Sequence, residues 1–107
     1  MKVTCIRLNS GEEIIGRVVE TLTVAPDDNQ PKGVITLEKV RSINMQPMGH
    51  DKIGIGFLPY VIGNPDGKLN FILENCAQTI YDPTSDIENG YMQQTSDIQL
   101  ARPGMQM

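Results

Sequence analysis

"LNSGEEIIGRVVE" (residues 8–20) contains two glycines, Gly11 and Gly16, and their placement decides how the chain folds. Gly11 follows Leu-Asn-Ser, where a tight turn takes a residue that tolerates positive φ. Gly16 interrupts "EEIIGRVVE", an apolar and β-branched run that otherwise reads as one strand. A glycine inside a strand weakens it, so its presence marks a bend, a bulge or the close approach of a second backbone. A tight turn followed by a sharply bent strand indicates a small barrel.

The rest of the chain extends that pattern. "KVTCIRL", residues 2–8, reads as a first strand, and the second covers about residues 12–24. "APDDNQPKG", residues 25–33, is a loop by composition. "VITLEKVRSINMQP", residues 34–47, is a third strand with a break in phase. Ile35 and Leu37 share one face, Val40 falls on the other, and Ile43 and Met45 return to the first. Either Val40 points outward or the strand bends near residues 38–42. "MGHDK" is a loop, and "IGIGFLPYVIG", residues 53–63, is extended but broken by Gly54, Gly56 and Pro59. A proline there argues against a central strand. "NPDG", residues 64–67, is a turn, "KLNFILENC" a further strand and "AQTIY" a short last one. From residue 83 the signals change. Ser85 and Glu88 have capping-box spacing, and Ile87, Tyr91 and Ile98 share a helical face, although Gly90 weakens the helix. The expected architecture is all-β: a small, strongly bent five-stranded SH3-like barrel over residues 1–82, with an irregular extended insert at about 48–67. A C-terminal helix and frayed tail occupy 83–107.

Composition narrows the functional classes. A chain of 107 residues with 39% hydrophobic content makes one domain with a modest core. No apolar run approaches the roughly 20 residues that span a bilayer. "MKVTCIRLNS" has neither a long apolar core nor a small-residue cleavage site, so no signal peptide is expected. Cys5 and Cys76, the two cysteines, read as reduced thiols and imply a cytoplasmic setting. The net charge is −4, and from Asp82 onward four acids face one base. No stretch is a basic block, which excludes non-specific wrapping of a duplex while leaving room for a local base-binding pocket.

"LNSGEEIIGRV" resembles the first signature of the Sm and Sm-like (LSm) family, with Leu8, Gly11, Ile14 and Gly16 in matching order and spacing. "VITLEKV" is similar to the family's third strand, and "FILENCAQTIY" to its second signature in outline. The whole chain resembles short Sm-like proteins of T4-like marine phages. Those combine "NGEEIIG", a Gly-Pro-aromatic insert and a C-terminal helix after an acidic-Pro step. The resemblance covers roughly residues 2–82. It implies that strand two curves hard at Gly16, and that copies assemble into a ring of about five to seven subunits through the edges of the fourth and fifth strands. It also implies binding of single-stranded RNA by loops at one ring face, with Asn29, Lys32 and Asn75 as the nearest matches, and a host-cytoplasm setting if viral. Two features depart from the family. The loop at 25–33 has no aromatic residue to stack a base, and Glu74-Asn75 stands where the family has Arg-Gly. A carboxylate in place of a guanidinium disfavours a phosphate-bearing ligand.

The remaining chemistry-bearing residues form no catalytic set. His50 stands alone beside Asp51, no motif pairs two carboxylates, and "GIG" at 54–56 lacks the Lys-Ser/Thr and helix of a phosphate loop. Neither an enzyme, nor a cofactor, nor a metal is expected. Cys5 and Cys76 fit two small buried hydrophobes better than a redox pair. Lys39 and Arg41 share a strand face and either contact phosphates or lie on a solvated sheet. Phe57 and Tyr60 in "FLPY" either stack bases, pack internally or meet a neighbouring subunit. The edge sequences "LNFILEN" and "AQTIY" lack blocking lysines and prolines, with Lys68 only at the outer end. Phe71, Leu73 and Ile80 are the expected interface residues there. The expected function is a non-enzymatic Sm-like ring subunit that binds RNA. The rival is a structural or protein-interaction module that keeps the barrel without RNA binding.

Overall fold

The computed structural model describes residues 2–22 and 31–96. The chain runs β1 (Val3–Leu8), β2 (Glu13–Leu22), β3 (Val34–Pro47), β4 (Ile53–Pro59), β5 (Lys68–Ile72), the single turn α1 (Leu73–Cys76), β6 (Ala77–Tyr81) and α2 (Ser85–Thr95). All strands lie in one antiparallel sheet of order β4-β3-β2-β1-β6, with β5 also on β3. β3, at 14 residues, organises it. One edge of β3 holds β2, and the other holds β5 beside residues 34–38 and β4 beside residues 41–47.

The stretch expected as an irregular insert therefore contains a strand. Pro59 is tolerated because it is the last residue of β4, and β4 lies at the end of the strand order. Among the described residues six strands are present rather than five. Among the described residues no ladder joins β6 to β4 or β5, so the sheet curls without closing.

The bend lies where the glycine and the phase break place it. Gly16 is buried, and a Cβ built on it would lie 3.0 Å from the Leu37 Cβ and 3.3 Å from the Val40 Cγ2. The β2–β3 register shifts between Ile15 and Arg17 because β3 contributes an extra residue opposite Gly16. Lys39, at that bulge, has a φ of 52°. The bulge reverses the side-chain phase of β3. Leu37 and Val40 both join the concave core with Ile6, Leu8, Ile14, Ile35, Phe71, Leu73 and Ala77. Ile43 moves to the opposite face, against a second cluster of Val3, Cys5, Ile15, Phe57 and Tyr91.

α2 covers that second cluster. Thr84 is its N-cap, one residue before the expected Ser85, and the Ile87 N–H donates to the Thr84 hydroxyl at 3.4 Å. Asp86 and Glu88 in the first turn complement the helix dipole. Gly90 fits because α2 packs closely on β4, where an added Cβ would lie 3.1 Å from the Phe57 ring. Tyr91 is fully buried and meets Phe57 edge-on, with ring centroids 6.1 Å apart. Ile98, expected on the same helical face, lies outside the described residues.

Candidate functional site

Three segments converge at one end of the sheet. The turn after β1 is closed by the Gly11 N–H donating to the Leu8 carbonyl at 2.8 Å, with Gly11 at a φ of 94°. From this turn the Asn9 N–H donates to the Cys76 carbonyl at 2.9 Å, and the Asn9 side-chain amide donates to the Asn75 carbonyl at 3.3 Å. On the other side of α1, the Leu73 N–H donates to the Gly33 carbonyl at 2.8 Å, and the Gly33 N–H returns to the Glu74 carboxylate at 2.8 Å. The segments around Asn9, Lys32-Gly33 and Glu74-Asn75 are thus tied together. The hydrogen bond from Gly33 holds the Glu74 carboxyl below its usual range, aided by the nearby Lys32 charge. Glu74 has a structural task, since it anchors the chain entering β3. Lys32 and Asn75 are exposed beside it. Asn29 lies outside the described residues.

Lys39 and Arg41 sit elsewhere and are engaged within the fold. The Lys39 ammonium donates to the Thr95 carbonyl at 3.1 Å, and Arg17 donates to the same carbonyl at 3.3 Å. Two sheet cations thereby cap the C-terminal end of α2, which has no basic residue in its own last turn. The Tyr91 hydroxyl donates to the Lys39 carbonyl at 2.6 Å and pins the bulge from the helix side. Burial pushes the Tyr91 phenol up to about 12. Arg41 is buried, donates to the Pro65 carbonyl at 2.9 Å and pairs with Asp66 at 2.7 Å. It clamps the turn between β4 and β5. The Arg41 hydrogen bond holds the Asp66 carboxyl below its usual range.

The aromatic and apolar candidates divide between the two cores. Phe57 is buried under α2, and half-buried Tyr60 lies 6.1 Å from the Phe71 ring. Phe71 and Leu73 belong to the concave core, and Ile80 packs against it half-buried. The exposed apolar residue on β5 is Ile72. The two cysteines are unbridged and lie in different clusters. Burial pushes the Cys5 thiol up to about 11 and also raises Cys76. His50 is exposed in the turn between β3 and β4. A half-open cleft of about 270 Å³ is lined by Lys2, Thr4, Val18, Thr21, Ile35 and Ile80. Among the described residues no three His, Cys, Asp or Glu side chains group to hold a metal, and no helix is long and apolar enough to cross a membrane.

Sequence reasoning missed the partners of Arg17, Lys39 and Arg41. For Arg17 and Lys39 the usable signal was the absence of a basic residue at the end of α2, which leaves its carbonyls to cations from the sheet, whereas no local signal marks the turn that Arg41 clamps. Compared with known proteins, the chain matches no protein-family model and no curated protein.

Proposed function

We propose that this chain is a non-catalytic, self-assembling β-module of the Sm-like type, in which β5 of one copy pairs with β6 of the next. The observation that carries the reading is the pair of open edges. β5 is laddered only to β3 and β6 only to β1 among the described residues. Neither strand holds a proline, and Lys68, at the start of β5, is the one charged residue in the two. An edge-to-edge contact between different strands is heterologous and closes into a ring when the rotation allows, at about five to seven copies by the family resemblance. The buried glycine at the strand bend and the open edges support the Sm-like reading together. Because Phe71 and Leu73 serve their own core, the contact uses backbone edges with Ile72 outside. The test is light scattering on the double variant Ile72→Lys/Thr79→Lys, which places charge on both edges. The expected result is a fall to the 11.8 kDa chain mass. An unchanged assembly rejects the edge contact.

Binding of single-stranded RNA at one ring face is a second reading, supported by the convergence of Asn9, Lys32 and Asn75. The engagement of Lys39 and Arg41 within the fold counts against it, and so does the acidic balance of the chain. Filter binding of oligo-U, oligo-A and single-stranded DNA at two salt concentrations decides between them. RNA binding predicts that Lys32→Glu weakens retention and flattens its salt dependence. No retention of any oligonucleotide leaves the assembly module alone.

A further inference from the structure

The half-open cleft of about 270 Å³ lies on the concave side of the sheet. One wall carries Lys2, Thr4 and Ile80, from the start of β1 and from β6, and the other carries Val18, Thr21 and Ile35, from β2 and β3. Its floor is the margin of the concave core: Ile35 is a buried member of that cluster, and half-buried Val18 and Ile80 pack against it. Register fixes which residues face the cleft, because directly opposed residues share a face. The Val18 N–H donates to the Lys2 carbonyl at 2.8 Å, one step beyond the Val3–Arg17 pair, so Lys2 stands opposite Val18 and on its face. Past Val18 the β2–β3 register shifts again. Val18 opposes Leu37, but Glu20 opposes Thr36 and Thr21 opposes Ile35, so Val19 is the extra residue of a second bulge. Strict alternation from Val18 would turn Glu20 into the cleft. The bulge turns in Thr21 instead and sends Glu20 to the outer face with Thr36, whose hydroxyl donates to the Asn70 side chain there at 2.6 Å. In a chain of net charge −4, the cleft thereby keeps one charged residue among those described, and it is a lysine.

We infer that this cleft binds a small alkyl carboxylate, its tail on Val18, Ile35 and Ile80 and its head group at the Lys2 ammonium and the Thr21 hydroxyl. The lining has the polarity of such a ligand. The three aliphatic side chains are buried or half-buried, whereas Lys2 and Thr21 are exposed. Thr4 is buried and its hydroxyl donates to the Tyr81 carbonyl at 3.4 Å, so it ties β1 to β6 and leaves the head group to the other two. An ammonium and a hydroxyl both donate to a carboxylate, and the ammonium repels an alkylammonium of the same tail. The volume of about 270 Å³ falls just below the range of about 300–1,000 Å³ for drug-sized ligands, which fits a single short chain. Burial of the methylene groups supplies the affinity, and the lysine supplies the selectivity, which water keeps modest at an exposed position. The site lies within one chain, so it stands whether or not the β5 and β6 edges assemble.

Amide and methyl NMR spectra of the full chain, titrated at fixed ionic strength with octanoate, octanol and octylammonium, test it. With octanoate the expected result is a saturable set of shifts confined to Val18, Thr21, Ile35, Ile80 and their neighbours. Octanol should bind about threefold to fivefold more weakly, and octylammonium more weakly still. Lys2→Gln should bring octanoate level with octanol, and Lys2→Glu should reverse the order so that octylammonium binds better than octanoate. Lys2 is exposed and outside both core clusters, so the unfolding midpoints of both variants should match that of the parent. The absence of any saturable shift overturns the inference and leaves the cleft to residues 23–30 or to another protein. Shifts that map to a different surface overturn it too, and so does an order of the three ligands that ignores their charge or survives Lys2→Glu.

Discussion

Replacing Gly16 by alanine adds one methyl group where β2 packs against the bulge in β3. The new Cβ would lie 3.0 Å from the Leu37 Cβ, 3.3 Å from the Leu37 Cδ1 and 3.3 Å from the Val40 Cγ2. The Cδ1 can rotate away, but a Cβ moves only with its backbone, so relief requires β2 and β3 to separate at the bulge. Both neighbours are fully buried in the concave core, and close-packed interiors resist such a shift. Overpacking of this kind costs about 1–3 kcal/mol. Gly16 is not in the left-handed region, so alanine also narrows the unfolded ensemble, which returns about 0.4–1 kcal/mol. The net expectation is about 1–2 kcal/mol of destabilisation, or a fall in Tm of roughly 4–10 °C for a domain of this size. Gly16→Val, with two further methyl groups, should lose about 3 kcal/mol or more. Urea denaturation reads both, with the slope unchanged and the midpoint lowered. Gly63→Ala is the control, since nothing lies within 4 Å of its Cβ. A Gly16→Ala midpoint equal to that of the parent or of Gly63→Ala would refute the close-approach argument.

Tyr91→Phe keeps the ring contact with Phe57 and removes the hydrogen bond to the Lys39 carbonyl, so it should cost about 1–2 kcal/mol and speed amide exchange across α2. Asp66→Asn weakens the clamp on the β4–β5 turn. Because the Arg41 hydrogen bond holds the folded Asp66 carboxyl below the usual carboxylate range, its contribution is present above that range and is lost as pH falls through the lowered folded value. Urea midpoints of parent and variant should therefore differ at neutral pH and converge in acid, once the pH has fallen through the lowered carboxyl, while a gap that persists after Asp66 is protonated contradicts the ion pair. With a thiol reagent at neutral pH, half-buried Cys76 should react before Cys5, whose thiol is buried and raised to about 11. Equal rates for the two would mean that the cluster under α2 opens readily.

The bend was legible because a glycine inside a β-branched run, and an apolar phase that breaks at Val40, are both local signals. The β3 bulge turned those two signals into one feature. The same bulge hid the roles of Lys39 and Arg41. Period-two alternation put them together on an outer face, but an extra residue at Lys39 sends Arg41 beneath the 65–66 turn and Lys39 towards α2. β4 was obscured by Gly54, Gly56 and Pro59, residues that a terminal strand of a sheet tolerates and a central one does not. The helix was legible from its spacing, while its cap fell on Thr84 because three consecutive residues, Pro83 to Ser85, offer two hydroxyls and only the geometry chooses between them. The tie between Glu74 and Gly33 depends on a contact across 41 residues of sequence, and no local pattern encodes it.

Native mass spectrometry of the parent protein tests the central claim, assembly through the β5 and β6 edges, most directly. It resolves the number of copies and shows whether the set is closed. The account predicts one dominant species at an integral multiple of the 11.8 kDa chain mass, with no open ladder of intermediate sizes. A spectrum containing only the 11.8 kDa monomer at micromolar concentration would contradict it.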